Sequence, residues 1–170
     1  VSLVLARIDE RLIHGQVSVG WAAALNPDRI LVADDQVASD DWERDVQLSA
    51  APPGLPTEVL GIAEGARRIR EGLPGRAFLL VRSPVLMLAL HHAGAPLDEV
   101  NVGGLHYREG ARRFTDYLYF TPGDLAALRE LAVAGVRLVA QDLPGNPPIE
   151  LNSALAEGRL EYDQLPARGS

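Results

Sequence analysis

Short apolar runs alternate along this chain with longer stretches of helical period. Ser2–Ile8, Arg29–Ala33, Thr57–Gly61, Arg76–Val81, Asp98–Val102, Tyr117–Phe120 and Val136–Ala140 each read as a strand. The continuously apolar runs among them suit strands buried on both faces. Between the first two, Val17, Trp21, Ala24 and Leu25 fall at i, i+4, i+7 and i+8, one face of a helix that Asn26-Pro27 stops. Ser39 reads as the N-cap of a second helix running to about Ala51, with Asp40 and Asp41 in its first turn and Pro52-Pro53-Gly54 beyond its end. Ile62, Ala66 and Ile69 mark a third helix, with Arg67, Arg68 and Arg70 on its solvated face. Ser83-Pro84 has the form of an N-cap followed by a first-turn proline, opening an apolar helix over Val85–Ala93. Thr121-Pro122-Gly123-Asp124 has the spacing of a capping box, and Leu125, Leu128, Leu131 and Ala132 fill one face of the helix it opens. Gly145–Pro148 reads as a surface loop and Leu151–Glu157 as a short last helix.

Strands of about five residues alternating with helices of about ten predict an α/β fold. The expected architecture is a single domain over residues 1–170, an open, mostly parallel sheet of about six to seven strands with helices on both faces. Ligands of such sheets bind beyond the carboxyl ends of the strands. Four segments fall there: the Asp9–His14 loop, Asp34-Asp35, Arg82-Ser83 and Gly103-Gly104.

Composition narrows the function classes. The 170 residues are 47% hydrophobic and 23% charged, an ordinary globular balance. A net charge of −7 disfavours nucleic acid as a partner. The absence of cysteine excludes disulfides and thiolate metal sites. No apolar run approaches the roughly 20 residues that span a bilayer, and Ser2–Ala6 is too short for a signal peptide. A cytoplasmic location is expected. All 16 basic residues are arginine.

The chemistry concentrates in Arg7-Ile8-Asp9-Glu10-Arg11-Leu12-Ile13-His14-Gly15-Gln16-Val17, between the first strand and the first helix. Imidazole is a nucleophile at neutral pH, guanidinium recognises phosphate as a planar fork, and a helix start offers free N–H groups to an anion. His14 therefore reads as a phosphoryl-accepting nucleophile, with Arg7 and Arg11 as the phosphate-holding pair. Gly15 and Gln16 would supply N–H groups, and Asp9 would orient the imidazole. The alternatives are a histidine that caps the helix, arginines in surface pairs with Asp9 and Glu10, and Asp9 as a turn residue. Ser83 reads as an N-cap whose geometry could also serve a phosphate. Gly103-Gly104 reads either as a close approach to a ligand or as a tight turn. His106 lies in a loop on the same predicted face, His91-His92 at a helix end, and Trp21 in core or interface. Neither G-x-G-x-x-G nor G-x-x-x-x-G-K-[ST] occurs, which argues against a nucleotide triphosphate.

The run Arg7–Val17 followed by Trp21 resembles the start of the IIB component of the mannose/fructose/sorbose class of the bacterial phosphotransferase system. The resemblance continues through Asp34-Asp35-Gln36-Val37-Ala38, Ala51-Pro52-Pro53-Gly54, Arg82-Ser83-Pro84, Asn101-Val102-Gly103-Gly104-Leu105 and Arg108-Glu109-Gly110, in order over roughly residues 3–142. It implies a phosphohistidine carrier of open α/β fold. His14 would take a phosphoryl group on Nδ1 from a IIA component and pass it to a sugar carried by membrane IIC and IID subunits. Arg7, Asp9, Arg11 and Gln16 match the motif around that histidine. The scheme requires no metal or cofactor, and a homodimer stays open. Gln36 replaces an acidic residue common in the family, and the sugar stays open too. A rival reading is a regulatory phosphoprotein that acts through protein contacts without sugar transport. A third is a small-molecule-binding α/β domain with an unreactive His14.

Overall fold

The computed structural model describes residues 2–168, the side chains of Ser2, Gln16 and Val17 excepted; Val1 and the terminal Gly169-Ser170 lie outside the described residues. Nine strands are present among these residues: β1 Ser2–Ile8, β2 Arg29–Ala33, β3 Thr57–Leu60, β4 Arg76–Val81, β5 Glu99–Val102, β6 Arg112–Thr115, β7 Leu118–Phe120, β8 Arg137–Ala140 and β9 Ile149–Glu150. The helices are α1 Gly15–Leu25, α2 Asp35–Ser39, α3 Asp41–Ala50, α4 Ile62–Glu71, α5 Pro84–His92, α6 Pro122–Val133 and α7 Asn152–Ala156. Seven strands form one sheet in the order β3-β2-β4-β1-β5-β8-β9. All its pairings are parallel except β8 with β9.

Strand β4 shows how the sheet is covered on both sides. Alternate side chains of a strand point to opposite faces. Leu79 and Val81 join Ile69, Met87, Leu90, Leu128 and Leu131, from α4, α5 and α6, in one buried cluster. Phe78 and Leu80 join Leu12, Ile13, Trp21 and Val37 in another. The open, mostly parallel sheet between two helical layers matches the expectation.

Two local expectations are corrected. The predicted sixth strand does not join the sheet: β7 pairs antiparallel with β6, and the seventh sheet strand is instead β9, beside the loop that precedes it. The loop over Leu105–Arg113 thus ends in a hairpin that carries Tyr117 toward the carboxyl ends of the strands. The helix expected from Ser39 to about Ala51 is present as α3, but Asp40 and not Ser39 is its N-cap, accepting from Trp42 and Glu43 N–H at 2.9 and 3.1 Å. The short α2 before it was not expected; Asp34 caps it through Val37 N–H at 3.0 Å. The capping box at Thr121 and Asp124 is present.

Candidate active site

Strand β1 lies between β4 and β5, and its carboxyl end delivers the Asp9–His14 loop to the centre of the sheet's edge. Asp9 N–H donates to Val81 O, and Glu10 N–H to Gly104 O, both at 2.9 Å, so the loop is pinned to both neighbours. Helix α3 adds a third anchor. Gln47 Oε1 accepts from Ile13 N–H at 2.8 Å, and its Nε2 donates to Arg11 O at 3.5 Å.

His14 is the N-cap of α1, in extended backbone, and no side chain caps that helix. Its first N–H groups, at Gly15 and Gln16, therefore face outward from a helix start with no intrahelical acceptor. The Gln16 side chain lies outside the described residues. The imidazole is 17% exposed. Its Nδ1 donates to Leu12 O at 2.9 Å, while Nε2 is buried without a partner among the described residues.

The two arginines of the motif are used differently. Arg7 is 1% exposed and holds four protein acceptors: Asn101 Oδ1, Gln141 O at 2.7 Å, Asp142 O at 3.1 Å and Asp9 Oδ2 at 3.3 Å. Its guanidinium also lies 5.0 Å from the centre of the Trp21 ring, whose Nε1 donates to Asp142 O at 2.9 Å. A β-carbon at Gly103 would overlap that guanidinium. Gly103 thus makes room for Arg7, while Gly104 lines the cleft beside the loop. Burial lowers the Arg7 pKa, and the charge of Asp9 opposes that. The Arg7 guanidinium, expected as half of a phosphate-holding pair, has these four protein acceptors on its two terminal nitrogens and also lines the cleft beside the loop. Arg11, by contrast, is exposed, and its guanidinium has no hydrogen bond or ion pair among the described residues.

Asp9 is 1% exposed and receives Arg11 N–H on Oδ1 at 3.2 Å. That oxygen is 3.9 Å from His14 Nδ1, beyond a hydrogen bond. In this structure the Leu12 carbonyl is the hydrogen-bond partner of the ring, and Asp9, expected to orient it, lies next nearest. Ser83 caps α5 through Leu86 N–H at 3.1 Å and lines neither cleft beside the loop. Asp34 and Asp35 are likewise taken up by local structure, Asp35 through Ile62 N–H at 2.8 Å. His106 is half-exposed, but it is tied to the loop, with both its ring Nδ1 and its backbone N–H on Glu10 Oε1.

Two clefts flank Arg11. One, of about 190 Å³, reaches Asp9, His106, Tyr117 and Asp142; the other, of about 230 Å³, runs past Leu12 to Trp42, Val46 and Arg82. In the first, burial raises the Tyr117 pKa. Burial also pushes Asp142 upward, but hydrogen bonds from Asn146 and Leu143 N–H, with the Arg7 charge, outweigh it and lower its pKa. A larger hollow, of about 530 Å³, opens at the other ends of β1 and β5. Among the described residues no imidazole, hydroxyl or guanidinium lines it.

The chain matches the family model for the phosphotransferase-system sorbose subfamily IIB component over residues 3–165. It belongs to that family. It is 33% identical to the N-acetylgalactosamine-specific phosphotransferase enzyme IIB component 2 of Escherichia coli, over 88% of this chain and 96% of that one. The fructose-specific EIIB component of Bacillus subtilis is also 33% identical, over 86% and 91%. Among solved structures, the IIB domain of the sorbose permease of Klebsiella pneumoniae superposes with a TM-score of 0.84 at 30% identity, over 92% of this chain and 98% of that one. This IIB component has no helix, among the described residues, long and apolar enough to cross a membrane.

Sequence reasoning missed several residues of this IIB site. Asn101, Gln47 and Ser18 hold the loop or its arginine, and Tyr117 and Asp142 line the cleft beside it. Asn101 left a signal, a polar residue inside an apolar strand just before Gly-Gly. Gln47 left none, since it reads as an ordinary helix-surface position.

Proposed function

We propose that this IIB component is a phosphohistidine carrier. His14 accepts a phosphoryl group from a IIA protein and hands it to a sugar held by IIC and IID membrane subunits. One observation carries the reading: the imidazole sits at an uncapped helix start, three residues from an arginine whose guanidinium has no partner among the described residues. Kinship with a mannose-specific EIIAB component of Escherichia coli, 30% identical over 90% of this chain and 48% of that protein, supports a IIA partner.

In the transfer, a His14 nitrogen lone pair attacks phosphorus and a P–N bond forms while the donor's P–N bond breaks. That electron pair stays on the donor ring. The second His14 nitrogen gives up a proton and the donor ring takes one up. Such a reaction needs positioning and charge neutralisation more than covalent help. Arg11 and the N–H groups of Gly15 and Gln16 supply the neutralisation. Arg7 and Asp9 are positioning residues, a buried pair that fixes the loop. A phosphate adduct formed with phosphoenolpyruvate, the general phosphotransferase proteins and a IIA component, and lost in His14→Ala, tests the reading. Sugar phosphate formed on adding IIC/IID membranes separates transport from a purely regulatory output.

Docking gives a further expected outcome. Trp42 is 74% exposed on the wall of the second cleft, beside Arg11 and Leu12. An exposed tryptophan next to the nucleophile loop is the residue type that anchors a partner. Trp42→Ala is expected to raise KM for the IIA donor about tenfold or more and leave kcat near wild type. Steady-state transfer at varied IIA concentration reads both.

A further inference from the structure

The imidazole of His14 cannot react as it stands. Nδ1 donates to Leu12 O at 2.9 Å. A carbonyl only accepts, so Nδ1 carries the proton and the lone pair of the neutral ring is on Nε2. Nε2 is buried and has no partner among the described residues. One nitrogen is tied and the other is shielded, so the ring must turn before either can meet phosphorus.

The Leu12 carbonyl is aimed by an unusual backbone. Leu12 has φ 58°, a left-handed conformation that L-residues rarely adopt. The loop enforces it: Leu12 N–H donates to Asp9 O at 3.0 Å, and the side chain is buried in the cluster with Trp21. The carbonyl then receives two donors, the imidazole and Ser18 Oγ, each at 2.9 Å. Ser18, one turn beyond His14 on α1, is 2% exposed, and its oxygen also accepts His14 N–H at 3.4 Å. The hydroxyl thus bridges the backbone on both sides of Ile13. Asp9 Oδ1, at 3.9 Å, is the other acceptor facing Nδ1 and is already bonded to Arg11 N–H and close to Arg7.

We propose that Ser18 is a positioning residue for His14: its hydroxyl keeps the Leu12 carbonyl hydrogen-bonded when the imidazole lets go of it and turns a nitrogen outward. This rests on His14 being the phosphoryl acceptor. Without the hydroxyl, the turned ring leaves that carbonyl without a donor, a penalty present only in the reactive arrangement. The hydroxyl therefore acts on kcat and leaves docking of the donor unchanged.

The full chain, Ser18→Ala and Ser18→Thr are compared in two measurements. Long-range nitrogen–proton correlation spectra at alkaline pH read the tautomer; transfer from a IIA donor reads KM and kcat separately. The wild type is expected to hold the proton on Nδ1, as is S18A, whose Leu12 carbonyl keeps the ring as its donor. S18A is expected to lower kcat about tenfold, the rate equivalent of one net hydrogen bond, at unchanged KM. S18T restores the hydroxyl and most of kcat. A proton on Nε2 in the wild type overturns the proposal, as does an S18A enzyme with wild-type kcat. A loss that S18T does not reverse assigns the effect to packing and also overturns it. If the wild type accepts no phosphoryl group from a cognate IIA, the carrier reading falls, whereas the tautomer spectra still decide whether the Leu12 lock exists.

Discussion

Arg7→Met is expected to cost about 3–5 kcal/mol of unfolding free energy, the usual loss when one partner of a buried ion pair is removed. Methionine fills much of the space but donates nothing. Asp9, itself 1% exposed, then keeps a charge without its cation. Asn101 Oδ1 and the carbonyls of Gln141 and Asp142 each lose a donor, and the ends of β1, β5 and β8 lose their common tie. Urea unfolding measures this directly. A loss below about 1 kcal/mol would place Arg7 outside the framework of the loop.

Arg11→Ala is expected to do the reverse. Its guanidinium has no protein partner among the described residues, so unfolding free energy should stay within about 0.5 kcal/mol of wild type. Phosphoryl transfer to His14 should fall about 10²–10³-fold, the loss typical of one pre-organised donor at developing charge. Arg11→Lys keeps the charge without the planar fork and should recover only part of the rate. Rapid-quench transfer from phosphorylated IIA reads the effect. A wild-type rate in Arg11→Ala would remove Arg11 from the site.

These two arginines show where the sequence was legible and where it was not. Strand and helix order followed from apolar period, because a parallel sheet covered on both faces imprints continuous apolar runs, as in Arg76–Val81. The position of His14 at the start of α1 followed from the same pattern. The separate roles of Arg7 and Arg11 did not follow, because both flank the same carboxylates. What separates them is Asn101, nearly a hundred residues away, and the missing β-carbon of Gly103. Contacts across the sheet carry no local signature. The β6–β7 hairpin was misplaced for a related reason: Leu118–Phe120 has strand composition, but sheet membership depends on a neighbour the local pattern does not name. Asp9 was assigned to the imidazole by analogy with catalytic pairs, whereas a backbone carbonyl, invisible to residue-type reasoning, took that place.

The central claim is that His14 carries the phosphoryl group. The most direct measurement is intact mass under alkaline conditions, where phosphohistidine survives, after incubation with phosphoenolpyruvate, the general phosphotransferase proteins and a cognate IIA. The expected result is one phosphate adduct on the parent chain and none on His14→Ala. An adduct that persists in His14→Ala, or a parent chain that stays unmodified beside a phosphorylated cognate IIA, would contradict it.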